Sequence, residues 1–257
     1  RAIATIGIAT AHELPRARDG KPDLSGIGQT CGEANGNLEP HAAQAGAVET
    51  LGAIGAVPPS LGVVDNAVIP YLPEARAQRD ANFADRRTND PEAKRFRPGV
   101  PRATYMPYPF QIFQTDDDIM IVYECAGAIR NIFMNEPVPA LVDSWMGWSN
   151  GRWEGDTLVV EVEAQNGQAW LDRAGNYASA GARVTERYTP LGPNHVRYEA
   201  TVEDPAVYSK PWTISMPLYR RIEPNARLLE FKCVEFAEEL MYHDLRKPDA
   251  EQSGGSQ

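Results

Sequence analysis

The sequence predicts an all-β protein whose body is an antiparallel β-barrel of about eight strands, and two features of the chain carry this prediction. Beyond the first hundred or so residues, apolar and polar residues alternate with the period of two that is typical of β-strands. Turn-forming clusters, such as Asp116–Asp118 and Gly192–Asn194, separate the alternating runs by only a few positions. Such short separations predict hairpins between neighbouring strands.

The alternating runs lie in a predicted barrel domain at residues 101–248. The predicted strands are Phe110–Thr115, Ile119–Glu124, Ala128–Met134, Thr157–Glu163, Arg183–Thr189, His195–Val202, Trp212–Leu218 and Arg227–Val234. Glu235–Arg246 loses the alternation and predicts a closing helix, and residues 249–257 are predicted to be a disordered tail. The alternation also places Glu186 on the inner face of its strand and His195 on the outer face.

Residues 1–100 are rich in Ala, Gly and Pro and predict an irregular arm. Within the arm, Pro73–Arg87 has no interior Pro or Gly and predicts a short surface helix. Arg1 precedes a run of small and apolar residues that ends in Ala9-Thr10-Ala11, a pattern like the one that signal peptidase reads. We therefore interpret residues 1–11 as a signal-peptide remnant and expect a periplasmic or secreted protein. The alternative is that the run belongs to the mature chain.

The composition excludes several classes of protein. The chain of 257 residues holds 25 Lys plus Arg against 35 Asp plus Glu, and the net charge of −10 argues against nucleic-acid binding. No apolar run reaches the roughly 18 residues of a membrane span, so we do not expect an integral membrane protein. Cys31, Cys125 and Cys233 lack metal-ligand spacing and no nucleotide motif occurs, so we expect neither a metal nor a cofactor. The pairing of the three cysteines stays open.

Four residues are candidates for catalysis. Glu124, Arg130 and Glu186 are charged groups on strand faces that are otherwise apolar, so they must be paired, hydrated or functional. A carboxylate in an apolar pocket would have a raised pKa and could act as a general acid or base, while Arg130 would bind a carboxylate or an oxyanion. The alternative is a buried ion pair. His41 is a candidate base, with a structural, hydrogen-bonded histidine as the alternative.

A second group of residues is predicted to bind a ligand. Pro-rich sequence before the first predicted strand would aim its aromatic and cationic residues at a barrel mouth, and aromatic or charged loop residues are frequent in ligand sites. The candidates are Arg102, Tyr105, Tyr108, Trp145, Trp170, Asp172 and Arg173. For the tryptophans, packing is the alternative role.

The segment Gly151–Thr157, GRWEGDT, is the most specific motif of the chain. Gly155-Asp156 predicts a tight hairpin turn. We expect Trp153 to close one end of the barrel with Arg152 stacked on it, as an aromatic residue and an arginine do in a calycin barrel. The predicted fold is therefore calycin-like.

Together with Pro98–Ile112, the segment Gly151–Val162 resembles a large family of exported bacterial proteins that share the GRWEGDTLVV motif. The resemblance extends through Asp172–Asn176, Glu186–His195, Tyr198–Pro205 and Phe231–Phe236. The family has no settled activity, so the resemblance implies export and a lipocalin-like β architecture rather than a reaction. Relatives carry a Cys near the position of Arg95 and a His and an acid where this chain has Ala178 and Ala180. If that His is catalytic in relatives, this chain is impaired or altered.

Two functional hypotheses follow. In the first, the barrel holds a small apolar or aromatic molecule, with or without cofactor-independent acid/base chemistry of a lyase, isomerase or hydrolase at Glu124 or Glu186. In the second, the protein is a non-catalytic accessory or structural subunit, or a homo-oligomer, whose arm wraps a partner chain. An open cavity that contains Glu124 or Glu186 would favour the first hypothesis, and a filled barrel with the arm extended onto a partner would favour the second.

Overall fold

The computed structural model describes residues 14–44, 56–135, 137 and 139–230. Three predicted segments lie outside the described residues: the signal-peptide remnant at 1–11, the closing helix Glu235–Arg246 and the tail 249–257. Cys233 lies outside them as well, while Cys31 is exposed and Cys125 is buried.

Nine strands in the described part of the chain form one closed barrel whose strand order follows the chain. They are β1 (Gly26–Gln29), β2 (Phe110–Gln114), β3 (Asp118–Tyr123), β4 (Ile129–Phe133), β5 (Trp148–Glu154), β6 (Thr157–Glu163), β7 (Arg183–Gly192), β8 (His195–Glu203) and β9 (Trp212–Arg220). The all-β barrel is confirmed.

Two details of the predicted barrel need correction. The sheet has one strand more than the eight predicted, and it is not wholly antiparallel, because β4 and β5 pair in parallel with Ile132 opposite Ser149. A closed ring with an odd number of alternating strands cannot be antiparallel at every junction, so the ninth strand requires a parallel pair. The long connection from β4 to β5 supplies the crossover that such a pair needs.

Seven predicted strands are present, with ends shifted by a few residues. The eighth, Arg227–Val234, is wrong where it can be checked, because residues 227–230 form no strand and the rest lies outside the described residues. The prediction missed β5 and β1. β1 lies in the arm and closes the ring, with Ile27 opposite Gln111 of β2 and Gly28 opposite Arg220 of β9. The arm therefore shares one sheet with the barrel.

In the described part of the chain, three α-helices accompany the sheet: α1 (Pro73–Ala84), α2 (Arg86–Asn89) and α3 (Arg102–Tyr105). The predicted surface helix is confirmed as α1, which has a proline in its first turn and buries only Ala75 and Arg79. Across the described residues, no helix is long and apolar enough to cross a membrane.

The two ends of the barrel are closed in different ways. The β2–β3, β5–β6 and β7–β8 turns lie at one end, which we call the hairpin end. The opposite end, the loop end, carries the long β6–β7 connection and α3, whose four residues are all buried. The carboxamide of Gln165 holds α3 in place by bonding both the N–H and the carbonyl of Val100, at 2.8 and 2.9 Å.

The motif Gly151–Thr157 has a structural role that was predicted only in part. Gly155 has a φ of +61° in the β5–β6 turn, which confirms the tight hairpin. The predicted stacking of Arg152 on Trp153 is wrong, because neighbouring residues of a strand point to opposite faces. Arg152 lies outside and pairs with Glu154 and Glu161, while Trp153 is partly buried against the core.

The first glycine of this motif lies where β4 and β5 meet. A β-carbon at Gly151 would come within 2.6 Å of the Cγ2 atom of Ile132, which is fully buried, and 2.5 Å of the Sδ atom of Met134. We expect Gly151→Ala to lower the free energy of unfolding by about 1–3 kcal/mol, because the packed core must shift. Urea unfolding measures the change. Gly192→Ala is the control, since no atom lies within 4 Å of the added carbon; equal stabilities of the two variants would contradict the prediction.

Candidate functional site

A pocket opens at the hairpin end of the barrel and encloses about 530 Å³ of space between atoms, part of it open to solvent. About 40 Å³ of this space admits the centre of a water molecule. Inward-facing apolar side chains from four strands form much of its wall, including Phe110, Ile112, Tyr188, Val196 and Leu218, and β1 contributes Gly26, Ile27 and Gly28. The chemistry of the wall is therefore that of a site for an apolar or aromatic body.

Residues 14–25, which we call the strap, cross the mouth of this pocket and contribute Pro15, Pro22 and Leu24 to its wall. The Arg16 guanidinium binds Asp156 of the β5–β6 turn through two contacts of 2.6 and 2.9 Å. The side-chain amide of Gln114 accepts a hydrogen bond from the N–H of Leu24 and donates one to the carbonyl of Pro22. The strap therefore covers part of the pocket mouth of the barrel to which it belongs.

The rim of the pocket is polar and carries Asp23, Asn194, His195 and Arg220. His195 is exposed, which confirms its predicted place on the outer face, and its ring lies edge-on to Tyr219. Arg220 was missed because the predicted strand ended at Leu218. The signal was present in the alternation, since Arg220 follows Trp212, Ile214, Met216 and Leu218 on the inner side of β9.

Tyr188 lines the pocket, and its hydroxyl bonds a buried ion pair that does not reach the pocket wall. Arg130 of β4 binds the carboxylate Oε2 atom of Glu186 of β7 directly, and its Nε donates to Ser149 at 2.7 Å. The other oxygen of Glu186 accepts hydrogen bonds from the hydroxyls of Tyr188 and Tyr198 at 3.1 and 2.6 Å. The predicted inward positions of Arg130 and Glu186 are confirmed, and both side chains are at most 2% exposed.

Burial and the negative charge of Glu186 together shift the pKa values of the groups around it. Burial raises the pKa values of Tyr188 and Tyr198, and the negative charge of Glu186 raises them further, so both phenols stay protonated and donate. Burial alone would lower the pKa of Arg130, but the charge of Glu186 raises it well above its usual value. Arg130 is therefore held in its protonated form.

Three buried polar atoms beside this pair lack a hydrogen bond of normal geometry: Nη1 of Arg130, the hydroxyl of Tyr123 and the hydroxyl of Thr104. Burial raises the pKa of Tyr123, while the nearby positive charge of Arg130 opposes that increase. The three residues belong to α3, β3 and β4, so these elements surround one group of buried polar atoms. They lie outside the wall of the hairpin-end pocket.

Glu124 is not part of this interior. It was predicted as the last residue of an inward-facing strand, but β3 ends at Tyr123 and Glu124 precedes a short 3₁₀ turn at Cys125–Gly127. Its carboxylate accepts a hydrogen bond from the backbone N–H of Leu229 at 2.7 Å. The prediction failed because alternation groups Glu124 with Met120 and Val122, which are only partly buried, whereas the side of β3 that faces the interior carries Ile119, Ile121 and Tyr123.

The predicted barrel mouth near Arg102 is also wrong, because that part of the chain is the closed loop end. Arg102 is 1% exposed and binds Asp90 through two contacts of 2.9 and 3.0 Å, and Glu92 at 3.1 Å. Tyr105 is fully buried and donates to the carbonyl of Leu171. Tyr108 is half-buried. The proline-rich approach does position these side chains, but toward the interior.

The remaining predicted ligand residues are spread over the loop end. Arg173 binds both oxygens of Glu92 at 2.7 and 2.8 Å. The Asp172 carboxylate is fully buried and accepts hydrogen bonds from the N–H groups of Leu38 and Asn176 and from the Asn176 amide. Burial raises the pKa of Asp172, and these hydrogen bonds oppose the increase. Asp172 thus fastens the arm to the β6–β7 connection.

The predicted tryptophan and histidine candidates lie away from the pocket. Trp145 stacks on Phe96 with ring centres 4.7 Å apart, and Trp170 is 9% exposed. The Nδ1 atom of His41 lies 3.0 Å from the carbonyl oxygen of Ala42, and its Nε2 atom is buried without a partner. None of these three residues belongs to the pocket wall.

Comparison with protein-family models, with curated proteins and with solved structures gave no match to this chain. The resemblance carried by the GRWEGDTLVV motif therefore stays a prediction. Among the described residues, no group of three or more His, Cys, Asp and Glu side chains is placed to hold a metal ion.

The buried ion pair allows a test of its role. We expect Glu186→Gln to lower the free energy of unfolding by about 3–5 kcal/mol, because Arg130 is left buried without its counter-charge. Chemical denaturation measures the loss. Glu161→Gln is the matched control, since its pair with Arg152 is exposed and worth at most about 1 kcal/mol. A Glu186→Gln protein as stable as the control would show that the pair is not a structural constraint.

The contacts of Glu92 with Arg102 and Arg173 predict how the free energy of unfolding depends on pH. Burial opposes ionisation of Glu92, but the hydrogen bond from Arg173 and the charge of Arg102 outweigh it and lower the pKa from 4.5 to about 2. Since the folded pKa is depressed, this stabilisation is present above pH 4.5 and is lost as the pH falls toward 2. We expect Glu92→Gln to cost about 3 kcal/mol at neutral pH and to flatten the acid limb of the stability profile.

Thermal unfolding measured from neutral pH down to the acid limb checks this expectation. Glu203→Gln, at the exposed end of β8, is the control and should leave the profile unchanged. An acid limb in Glu92→Gln as steep as that of the unmodified protein would assign the acid sensitivity to other carboxylates.

Proposed function

We propose that this protein is a small-molecule-binding barrel that takes an apolar or aromatic body into the pocket at its hairpin end. The observation that carries the proposal is the pocket itself. It is a concave space at the end of a closed barrel, lined by inward-facing apolar side chains and only partly covered by the strap. Ligand sites are mostly apolar clefts with a few polar groups, and this pocket has that composition.

Binding is supported better than acid/base chemistry. Glu186 is separated from the pocket by Tyr188, and both of its oxygens already have partners. A general acid or base must come within hydrogen-bond reach of a substrate, and Glu186 does not line the pocket. Glu124 faces the last described segment rather than the pocket. We therefore assign the Arg130–Glu186 pair a structural role in this proposal.

The proposal retains a calycin- or lipocalin-like role, in which a barrel carries a ligand outside the cytoplasm. Its support is the closed barrel with one accessible end, together with the signal-peptide-like pattern of residues 1–11. The competing hypothesis of an arm that wraps another chain gains less support. The described arm supplies β1, the strap and the anchor of Asp172 to its own barrel.

A neutral fluorescent probe tests the proposal. We expect N-phenyl-1-naphthylamine to bind with increased emission, because its rings leave water for the apolar pocket. Val196 lines the pocket, so Val196→Trp should fill the space and weaken binding by about tenfold or more. A fluorescence titration of both proteins measures the change.

The matched control is Val142→Trp. Val142 is 75% exposed in the β4–β5 connection, so a tryptophan there adds the same ring without entering the pocket. Thermal unfolding checks that both variants are folded. Absence of saturable probe binding in the unmodified protein, or equal binding by the two variants, would overturn the proposal.

A further inference from the structure

Arg220 is the arginine that lines the mouth of the pocket. It has the inward-facing parity of β9, directly beyond the buried residue Leu218. Its guanidinium packs across Gly26 of β1, since a β-carbon on that glycine would lie 3.8 Å from the Cζ atom of Arg220. Gly26 also has a φ of +126°, a conformation that favours glycine. The arginine is therefore placed against the rim by the backbone of the strand that closes the barrel.

Only part of this guanidinium is used by the described protein. One Nη2 donor binds the carbonyl of Asp23 at 3.0 Å. Within the described residues, no carboxylate lies within ion-pair distance of Arg220. Arg16 and Arg221, in contrast, pair with Asp156 and Glu223. Asp23 is the one acid in the pocket wall, and its side chain turns to the N–H of Ser25 at 2.8 Å.

We infer that the pocket is built for an amphipathic monoanion, with an apolar chain or ring inside and a carboxylate at the Arg220 guanidinium. A guanidinium offers five N–H donors in a planar fork that matches a carboxylate, and hydrogen bonds to charged groups are the stronger ones. The apolar side chains and the cation line one pocket, so one molecule with both characters can contact both. This inference rests on the proposed function and names the ligand class for the same site.

A pair of ligands that differ only in the head group tests the inference. Decanoate and decanol carry the same apolar chain, and each is used to displace N-phenyl-1-naphthylamine from the unmodified protein and from Arg220→Gln. We expect the affinity for decanoate to fall about tenfold in the variant, because a charge-assisted hydrogen bond is lost. The affinity for decanol should stay within about twofold, since its chain meets the same wall.

Arg221→Gln is the matched control. Arg221 is the next residue of the chain, has the opposite parity and pairs with Glu223 outside the pocket at 3.2 Å. This variant should bind both ligands as the unmodified protein does. Added salt should weaken the binding of decanoate to the unmodified protein and leave that of decanol unchanged.

The outcomes separate this inference from the proposed function. Decanoate and decanol that bind equally well to the unmodified protein and to Arg220→Gln would overturn the anionic head group while the apolar pocket stands. Loss of both ligands in Arg220→Gln would assign the arginine to holding the strap through Asp23 and would overturn its role as the anion site. Failure of the probe and of both ligands to bind the unmodified protein would overturn the proposed function and this inference with it.

Discussion

The interior of this barrel is organised by the ion pair between Arg130 and Glu186. The two residues belong to β4 and β7, so their contact joins strands that are separated by two others in the sheet. Taking two charges out of water is costly, and the cost is offset only when geometry and further hydrogen bonds satisfy both groups. Here Ser149, Tyr188 and Tyr198 supply those bonds. Each of these side chains must therefore keep its place, which sets the packing around them.

This cluster also decides where the barrel is open. It fills the middle of the interior, and α3 closes the loop end behind it with Tyr105 and Arg102 fully or almost fully buried. The free space that is left lies in front of Tyr188, toward the hairpin end. A strap held by Arg16 and Gln114 covers part of that mouth. The same ionic interaction that stabilises the middle of the barrel thus confines the pocket to one side of it.

The described part of the arm packs on the barrel and stabilises it, instead of extending away from it. β1 completes the hydrogen bonding of β2 and β9, which removes the exposed edges that an eight-stranded open sheet would present. The buried carboxylate of Asp172 binds the backbone of Leu38, and Arg102 joins Asn35 to Asp90. These bonds are made by polar groups with little contact to water, so they hold only if the arm and the barrel fold together.

The sequence by itself determined the β architecture, seven strands, the helix α1, the turn at Gly155 and the inward positions of Arg130 and Glu186, because alternation and turn chemistry are local properties. It could not determine β1 or the parallel junction, since their pairing joins segments far apart in the chain. It missed β5, although β5 pairs with β6 across a tight turn, because Gly151 interrupts the alternation. The position of the pocket was decided only by the tertiary structure. Arg102 was predicted to line a barrel mouth, but it lies at the closed end, where it binds Asp90 and Glu92. Arg220 lies at the rim of the pocket because the strap and β1 pack beside it. These contacts join distant segments of the chain, so no local sequence pattern predicts them.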